Sequence, residues 1–318
     1  MHTADLLSPD ATGIARAAAL LRAGQLVALP SETVYGLAAD ATQDDAVAAI
    51  YAAKGRPGFN PLIVHVPDLA SAMELAEFPG PARALSAAFW PGPLTLVLPL
   101  KPGHGLSPRV TAGLDTVAIR LPAHPLMQAV LRALGRPVAA PSANPSGRIS
   151  ATTADHVRMG LGPRIAAILD GGATPVGVES TILAPSDRGT RLLREGGIVR
   201  EAIVPITGPL TDDTTPAARI EAPGQLASHY APDTPLYLGG APRADEIMIG
   251  FGAVPGDLTL SAAGDLAEAA TRLFASLHAA DALAKARHAR AIRIAPIPDT
   301  GLGRAINDRL RRAAAPRG

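Results

Sequence analysis

The chain has 318 residues, a formal net charge of +1 and no cysteine. At about 150 residues per domain this length favours two domains, and the lack of cysteine excludes disulfides, thiolate catalysis and cysteine-ligated metal centres. Apolar residues make up 47% of the chain and aromatic residues only 3%, which supports a substantial core but is poor for a basic, base-stacking nucleic-acid surface.

The first two hundred residues alternate short apolar runs, bounded by glycine, proline and aspartate, with helical patterns. The apolar runs predict strands at residues 25–29, 62–66, 94–98, 116–121, 137–140, 165–169, 180–183 and 190–193. The helical patterns cover residues 11–23, 44–53, 70–76, 81–89, 125–134 and 153–159. Because some strands follow one another without a helix between them, we expect an α/β fold with a mixed sheet.

A polar, turn-rich stretch at residues 205–224 interrupts this pattern and is typical of a linker. Beyond it, the patterns predict strands at 236–238, 247–251, 258–260 and 291–295 and helices at 266–283 and 305–313. These elements indicate a small α/β domain with an open parallel sheet. The chain therefore divides into a first domain at 1–204, a linker at 205–233 and a small C-terminal domain at 234–318.

The charge is unevenly distributed. Nine basic and two acidic residues follow residue 284, so this tail carries +7 and the preceding residues carry −6. An RNA-binding arm is one interpretation of this tail. We favour the alternative that Arg309, Arg311 and Arg312 lie in the solvated last turns of a helix, because no aromatic residues interleave with the arginines. No segment resembles a signal peptide or reaches the roughly 18 apolar residues of a membrane span, so we expect a cytoplasmic protein.

Common catalytic motifs are missing from the sequence. It has no Gly-Lys pair, which excludes a P-loop, and neither a Gly-x-Ser-x-Gly elbow nor a His-Glu-x-x-His motif. Gly250 and Gly252 lack the third glycine of a dinucleotide fingerprint. The eight histidines show no ligand spacing, so the sequence assigns no metal ligands.

Polar residues instead concentrate where predicted strands end. Ser31, Glu32 and Thr33 directly follow the first strand, a position that lines ligand sites in α/β sheets, although a helix N-cap is an equal alternative. Lys54 and Arg56 lie two residues apart between glycines and prolines. Such a pair suits a fixed anion clamp, since arginine can fork onto a phosphate and lysine acts as a point charge.

Three further segments belong to the same group. Arg120 lies in an otherwise apolar strand and must pair with a carboxylate or face a cavity, because an unpaired buried guanidinium is very costly. Small polar residues at 139–147 let a ligand approach the backbone, and Arg194 adds a third cation after a later strand. His65 lies inside an apolar strand, where an ordinary core histidine is the alternative.

Together these segments resemble one protein family. Ser-Glu-Thr-Val-Tyr-Gly at 31–36, the run 54–66 from Lys-x-Arg-Pro to His-Val, Trp-Pro-Gly-Pro-Leu-Thr at 90–95, Val-Ala-Ile-Arg at 117–120, Pro-Ser-Ala-Asn-x-Ser-Gly at 141–147 and Glu-Ser-Thr-Ile at 179–182 are similar to the YrdC-like domain of L-threonylcarbamoyladenylate synthases. The resemblance continues through 223–224 and His-Tyr-Ala-Pro at 229–232, so it spans nearly the whole chain in the long, two-domain form. Ser31 departs from the usual threonine and Gln225 from the common methionine.

The resemblance implies a twisted, mixed-sheet YrdC-like domain with a cationic cavity and a small Rossmann-like parallel α/β C-terminal domain. It implies a nucleotidyltransferase that converts L-threonine, bicarbonate and ATP to threonylcarbamoyl-AMP and pyrophosphate, the first step of tRNA threonylcarbamoyladenosine formation. Mg²⁺ would accompany ATP as cofactor, and downstream tRNA-modifying proteins would receive the product, with direct RNA binding not required.

The resemblance also implies site residues by motif position. It assigns threonine contacts to Thr33, His65, Arg120, Ala140 and Ser180. It assigns ATP contacts to Arg56, Asn60, Thr116, Ser142, Asn144, Ser150, Arg194 and Tyr230. Lys54 and Arg56 would act catalytically on the phosphates, and the linker with His229 and Tyr230 would form a lid.

These assignments agree with the chemistry of the residues. Arg120 can neutralise the threonine carboxylate, and His65 or Ser180 can bond its hydroxyl. Two other classes of protein remain alternatives. One is a nucleic-acid-binding module that binds phosphates through Lys54, Arg56 and the tail, and the other is a nucleotide sensor that binds ATP without turnover.

Overall fold

The computed structural model describes residues 3–212, 221–224, 228–241 and 243–316. Within these ranges the first domain is built on one large sheet. Its strands are β1 (Asp5–Leu7), β2 (Val27–Leu29), β3 (Gly36–Asp40), β4 (Ile63–His65), β5 (Leu94–Pro99), β6 (Thr116–Arg120), β7 (Val138–Ala139), β8 (Ala167–Leu169), β9 (Thr181–Ser186), β10 (Gly189–Arg194) and β11 (Leu210–Asp212). They lie in the order β1-β8-β2-β3-β7-β4-β6-β5-β9-β10-β11. Since β4 pairs with β6 in parallel and β5 with β6 antiparallel, the predicted mixed sheet is confirmed.

Helices cover the sheet of the first domain. They are α1 (Ala11–Arg22), α2 (Asp44–Lys54), α3 (Leu69–Leu75), α4 (Gly80–Phe89), α5 (Pro108–Thr111), α6 (Pro125–Leu134), α7 (Ala154–Leu161) and α8 (Arg200–Thr207), with a 3-10 turn at Gly162–Arg164. Asp10, Asp68 and Thr153 cap their helices by accepting a hydrogen bond from a backbone N–H of the first turn. Each apolar run and helical pattern predicted for residues 1–204 is present, while β1, β3, α5 and α8 were not predicted.

The small C-terminal domain has a parallel sheet. Its strands β12 (Leu236–Leu238), β13 (Glu246–Gly250), β14 (Leu258–Thr259) and β15 (Ala291–Ile294) lie in the order β12-β15-β13-β14, and all their pairings are parallel. The long helix α9 (Leu266–Arg287) and the last helix α10 (Leu302–Ala314) pack together against this sheet. The predicted parallel α/β domain is confirmed, with both helices longer than the sequence pattern suggested.

Part of the predicted linker lies in regular secondary structure. Pro205 lies inside α8, and β11 adds to the large sheet as a parallel neighbour of β10. Residues 213–220 and 225–227, which include Gln225, lie outside the described residues. The large sheet therefore includes a strand that lies beyond residue 204, while the predicted domain boundaries stay a prediction.

The two domains share a buried interface. Val34 and Val178 of the first domain belong to the same apolar cluster as Phe274 of α9. His156 of α7 stacks on His278 of α9 with ring centroids 4.0 Å apart. The C-terminal domain is therefore packed directly against the elements that carry the site described below.

The basic tail is neutralised by acids elsewhere in the chain. Arg304 pairs with Glu201, Arg309 with Glu179. Within the described ranges, ion pairs are formed by Lys285, Arg287, Arg290, Arg293, Arg304, Arg309 and Arg312. Arg317 lies outside the described residues. None of the helices in those ranges combines the length and hydrophobicity needed to cross a membrane.

Candidate active site

The predicted site residues gather at one edge of the large sheet. The ends of β4, β6 and β10 and the loops after β2 and β7 line a pocket there. It holds about 570 Å³ of space free of protein atoms, part of it open to solvent.

The residues assigned to threonine all line this pocket. They are Thr33, His65, Arg120, Ala140 and Ser180. Because His65 and Arg120 are register partners on the parallel strands β4 and β6, their side chains lie side by side on one face of the sheet.

Arg120 both pairs with a carboxylate and faces a cavity, the two alternatives expected for a buried guanidinium. Its Nη2 lies 2.6 Å from Oε1 of Glu32, and its Nη1 donates to Oγ1 of Thr33 at 2.9 Å. Burial by itself raises the pKa of Glu32, but Arg120 more than offsets this, and the net pKa lies below its usual value. The pocket therefore presents a buried ion pair here, with the guanidinium held in a fixed orientation by Glu32.

His65 is a neutral group in the pocket wall. Its ring is 4% exposed, and its Nδ1 has no hydrogen-bond partner among the described residues. Burial, reinforced by Arg120, lowers the pKa of His65 to about 3. An uncharged imidazole is suited to bond a substrate hydroxyl, and His65 lines the pocket; its contact with threonine stays a prediction.

Lys54 lies at the end of α2 behind the pocket wall. It is buried, and its Nζ donates to the carbonyl oxygens of Ser142 and Asn144 at 2.5 Å. Burial lowers the pKa of Lys54 well below its usual value, and Arg56 adds to this. Asn144 in turn donates to the carbonyl of Arg148. Lys54 and Asn144 thus shape the 141–147 loop and do not line the pocket, and their contact with ATP stays a prediction.

Arg56, Ser142, Arg194 and Tyr230 of the predicted ATP set line the pocket. Asn60 fixes Arg56 by accepting from its Nη2 at 2.6 Å, and burial lowers the pKa of Arg56 to about 10. Arg194 donates to the carbonyl and the hydroxyl of Ser180. Neither guanidinium lies within ion-pair distance of a carboxylate in the described part of the chain, although the Glu179 carboxylate partly compensates the charge of Arg194.

The other predicted ATP residues lie outside the pocket lining. Asn60 supports Arg56, and Ser150 donates to Oε1 of Glu179 at 2.6 Å. Thr116 begins β6, four residues before Arg120 on the same face, which places it about 13 Å farther along the strand. Their direct contact with ATP stays a prediction.

The linker covers the pocket. Tyr230 is 1% exposed and has a left-handed φ of 63°, and its ring packs on His229 with centroids 4.1 Å apart. Gly224 has a φ of 92°, and a Cβ there would lie 2.8 Å from Cδ of Arg194, so glycine allows the linker to approach that arginine. The linker thus contacts Arg194 and itself contains Tyr230, two of the predicted ATP residues.

Sequence reasoning missed two charged residues of the site. Glu179 lines the pocket, and Arg309 donates to its Oε2 at 2.9 Å. Burial by itself raises the pKa of Glu179. Arg309 and Arg194 more than offset this effect, so the net pKa lies below its usual value. The interpretation of Arg309 as a solvated helix end was wrong, since its side chain is fully buried. Glu179 stands in the Glu-Ser-Thr-Ile motif and could have been found there, whereas no local pattern marked Arg309.

The pocket does not present a resident metal site. Among the described residues no group of three or more histidine, aspartate or glutamate side chains could hold a metal ion. Both oxygens of Glu179 are occupied by Ser150 and Arg309, and Glu32 is paired with Arg120. These residues do not fit a Mg²⁺ held by the chain, although Mg²⁺ commonly binds through substrate phosphates.

Comparison with known proteins confirms the resemblance. The Sua5, YciO and YrdC family model, described as "Telomere recombination", matches residues 19–196, and the model "Threonylcarbamoyl-AMP synthase, C-terminal domain" matches residues 198–315. The threonylcarbamoyl-AMP synthase of Bacillus subtilis is 51% identical over 250 residues, covering 77% of this chain and 72% of the relative. That of Pyrococcus abyssi is 38% identical over 322 residues, covering 94% and 93%.

A solved structure agrees over both domains. The crystal structure of P. abyssi Sua5 complexed with L-threonine superposes with a TM-score of 0.89 at 36% identity, covering 98% of this chain and 97% of that one. The same two-domain fold is thus indicated by the mixed sheet, by the parallel C-terminal sheet and by both family models. The chain belongs to the Sua5/YciO/YrdC family, in the two-domain form of the threonylcarbamoyl-AMP synthases.

Proposed function

We propose that this chain condenses L-threonine, bicarbonate and ATP to threonylcarbamoyl-AMP and pyrophosphate, acting as a nucleotidyltransferase on N-carboxy-L-threonine. One observation carries the proposal, the division of a single pocket into two chemically different halves. One half has Thr33, His65 and the Arg120–Glu32 pair. The other half has Arg56 and Arg194, two buried cations without a carboxylate partner in the described ranges.

The first half suits threonine. The Arg120 guanidinium is held by Glu32 and can still donate to a carboxylate, while neutral His65 is free to bond the hydroxyl. A site built for that hydroxyl rejects an analogue that lacks it by about 10⁴-fold or more, but rejects serine, which lacks only the methyl group, by at most about 200-fold. The L-threonine bound to the P. abyssi relative supports this choice of substrate.

The second half suits a polyphosphate. Burying a cation without a counter-charge is costly, and an incoming triphosphate offsets that cost. Each charge-assisted hydrogen bond contributes about 1.5–3 kcal/mol. Lys54 holds the 141–147 loop from behind, and its charge acts on the same region. Mg²⁺ would enter with ATP and supply neutralisation of the phosphate oxygens, held by the nucleotide rather than by the chain.

The reaction needs no covalent enzyme intermediate. The threonine amine, after losing a proton to solvent, bonds to the carbon of bicarbonate, and water leaves to give the carbamate. A carbamate oxygen then bonds to the α-phosphorus of ATP, and pyrophosphate departs with the electrons of the broken P–O bond. In this scheme the chain orients the two reactants and stabilises the charge on the departing group. Tyr230 and His229 would close the pocket over the nucleotide.

The labile adenylate would pass to downstream tRNA-modifying proteins, without a requirement for direct RNA binding. The tail offers little free charge for a phosphate backbone, because its basic side chains are largely paired with acids. That pairing favours the enzyme over a nucleic-acid-binding module.

Pyrophosphate release measured with and without each substrate tests the proposal. We expect release only when threonine, bicarbonate and ATP are all present, with threonylcarbamoyl-AMP identified by mass spectrometry. Valine in place of threonine should give no product above background. Pyrophosphate formed equally without threonine would contradict the proposal, and ATP binding with no turnover would favour a nucleotide sensor.

A further inference from the structure

Arg309 of α10 belongs to the C-terminal domain, and apart from Asp308 of the same helix its partners lie in the first domain and the linker. Its side chain is 0% exposed. Nε donates to Oε2 of Glu179 at 2.9 Å, and Nη1 donates to the carbonyl oxygen of Glu195 at 2.6 Å. Its guanidinium carbon also lies 5.7 Å from the ring centroid of Tyr230. A single side chain thus bridges from the small domain to three separate segments.

Each of those segments carries a pocket residue. Glu179 itself lines the pocket and precedes Ser180, and Glu195 directly follows Arg194. Tyr230 is the linker residue that packs over the pocket. Arg309 does not line the pocket, so any effect that it has on a ligand must act through these neighbours.

We propose that Arg309 is a positioning residue through which the docked C-terminal domain completes the ATP half of the pocket. It fixes the backbone after Arg194 through the carbonyl of Glu195, fixes Glu179 through its carboxylate, and supports the ring of Tyr230. Three residues of the threonine half, Arg120, Thr33 and Glu32, bond to one another within the first domain, whereas Ser180 is bonded to Arg194. The proposal rests on the proposed function, which supplies both the ATP half of the pocket and the turnover readout.

Two readings of this contact differ in their predictions. If Arg309 merely neutralises Glu179, a lysine that keeps the charge should suffice. If the guanidinium fork is needed to hold Glu195 and Tyr230 as well, lysine should not suffice, since an ammonium lacks the planar fork. ATP affinity should then suffer while threonine affinity does not.

The test uses the full chain with Arg309→Lys, and Arg311→Ala on the exposed face of the same helix as the matched control. Dissociation constants for ATP and for threonine are measured separately by calorimetry, and kcat by pyrophosphate release. For Arg309→Lys we expect a rise of about tenfold or more in the ATP dissociation constant, a threonine constant within threefold of wild type, and a fall in kcat of up to about 100-fold from misplacement of the reactants. Arg311→Ala should match the wild type in each measurement.

A second variant keeps the test sharp if a single substitution disturbs folding. Arg309→Met with Glu179→Gln removes both buried charges together, which avoids the cost of leaving one unpaired. We expect this double variant to fold and still to bind ATP weakly. ATP affinity equal to the wild type in either Arg309→Lys or the double variant would overturn the positioning role. A wild-type chain that binds ATP but releases no pyrophosphate would instead refute the proposed function and leave the binding test intact.

Discussion

The buried ring of His65 makes the stability of the first domain depend on pH in a defined direction. In the folded chain burial lowers the pKa of His65 to about 3, with a further contribution from Arg120. In the unfolded chain a histidine titrates near pH 6.5. Below about pH 6.5 the unfolded state therefore binds a proton that the folded state does not.

The size of the effect follows from that difference. The contribution of the neutral ring to stability is complete above about pH 6.5 and is lost progressively as the pH falls towards the folded value. The loss is about 1.36 kcal/mol per pH unit, or about 2 kcal/mol between pH 6.5 and pH 5. His65→Gln removes the titrating group and should remove this part of the pH dependence.

The chain contains a convenient reporter for the measurement. Trp90 is the single tryptophan and lies in the first domain, where its Nε1 donates to the carbonyl of Leu94. Urea unfolding followed by its fluorescence at pH 7, 6 and 5 gives the free energy of unfolding of that domain. The wild type should lose about 2 kcal/mol more than His65→Gln over the acidic range.

A control separates this effect from general acid sensitivity. His288 is exposed and has a left-handed φ of 54°, which asparagine tolerates. His288→Asn removes a histidine from the surface instead of from the pocket wall and is the matched control. Equal slopes for the wild type and His65→Gln would refute the inference that His65 is buried in its neutral form.

Three further substitutions test the site. Arg56→Ala should lower kcat/KM for ATP by about 10- to 100-fold through the loss of one or two charge-assisted hydrogen bonds. The control Arg109→Ala, at an exposed position, should have little effect in the same pyrophosphate assay. Tyr230→Ala should raise KM for ATP by about tenfold and Tyr230→Phe by less than threefold in initial-rate measurements, if the ring rather than the hydroxyl covers the nucleotide. Gly196→Ala should lower the free energy of unfolding by about 1–3 kcal/mol in urea titrations, because the new Cβ would lie 2.3 Å from the backbone of Ser180. Gly58→Ala is the control, since a Cβ at that position would have no atom within 4 Å.

Local sequence patterns predicted the strands whose residues are apolar and bounded by turn formers. They missed β3 because Gly36–Asp40 consists mostly of small residues without β-branching. They missed β1 because it is a largely exposed three-residue strand at the sheet edge. Pro205 indicated a linker. It instead lies near the end of the short helix α8, where the missing N–H removes only a hydrogen bond of the last turn. These elements depend on their neighbours in the sheet, which a local pattern does not contain.

Nine of the predicted site residues line the pocket, namely Thr33, Arg56, His65, Arg120, Ala140, Ser142, Ser180, Arg194 and Tyr230, but their internal pairing was not predicted. Motif position brought Arg120 and His65 to one wall of the pocket, as observed. It did not indicate that Glu32 would hold the guanidinium of Arg120, although the two belong to neighbouring motifs. Hydrogen bonds between segments such as Lys54 and the 141–147 loop, 88 residues apart, arise only once the sheet has brought the segments together.

The uneven charge of the sequence gains a physical explanation from the domain interface. Counted locally, the tail is +7 and the remainder −6, which suggested either a solvated helix end or an RNA-binding arm. In the folded chain Arg304 reaches Glu201 across 103 residues and Arg309 reaches Glu179 across 130. These two arginines cross to the first domain, and Arg309 does so where water is excluded, which is where a charge contributes most. Lys285, Arg287, Arg290 and Arg293 instead pair with acids of the linker and of the C-terminal domain itself. Pairing within the chain, part of it across the domain interface, therefore explains the imbalance better than a surface for a partner does.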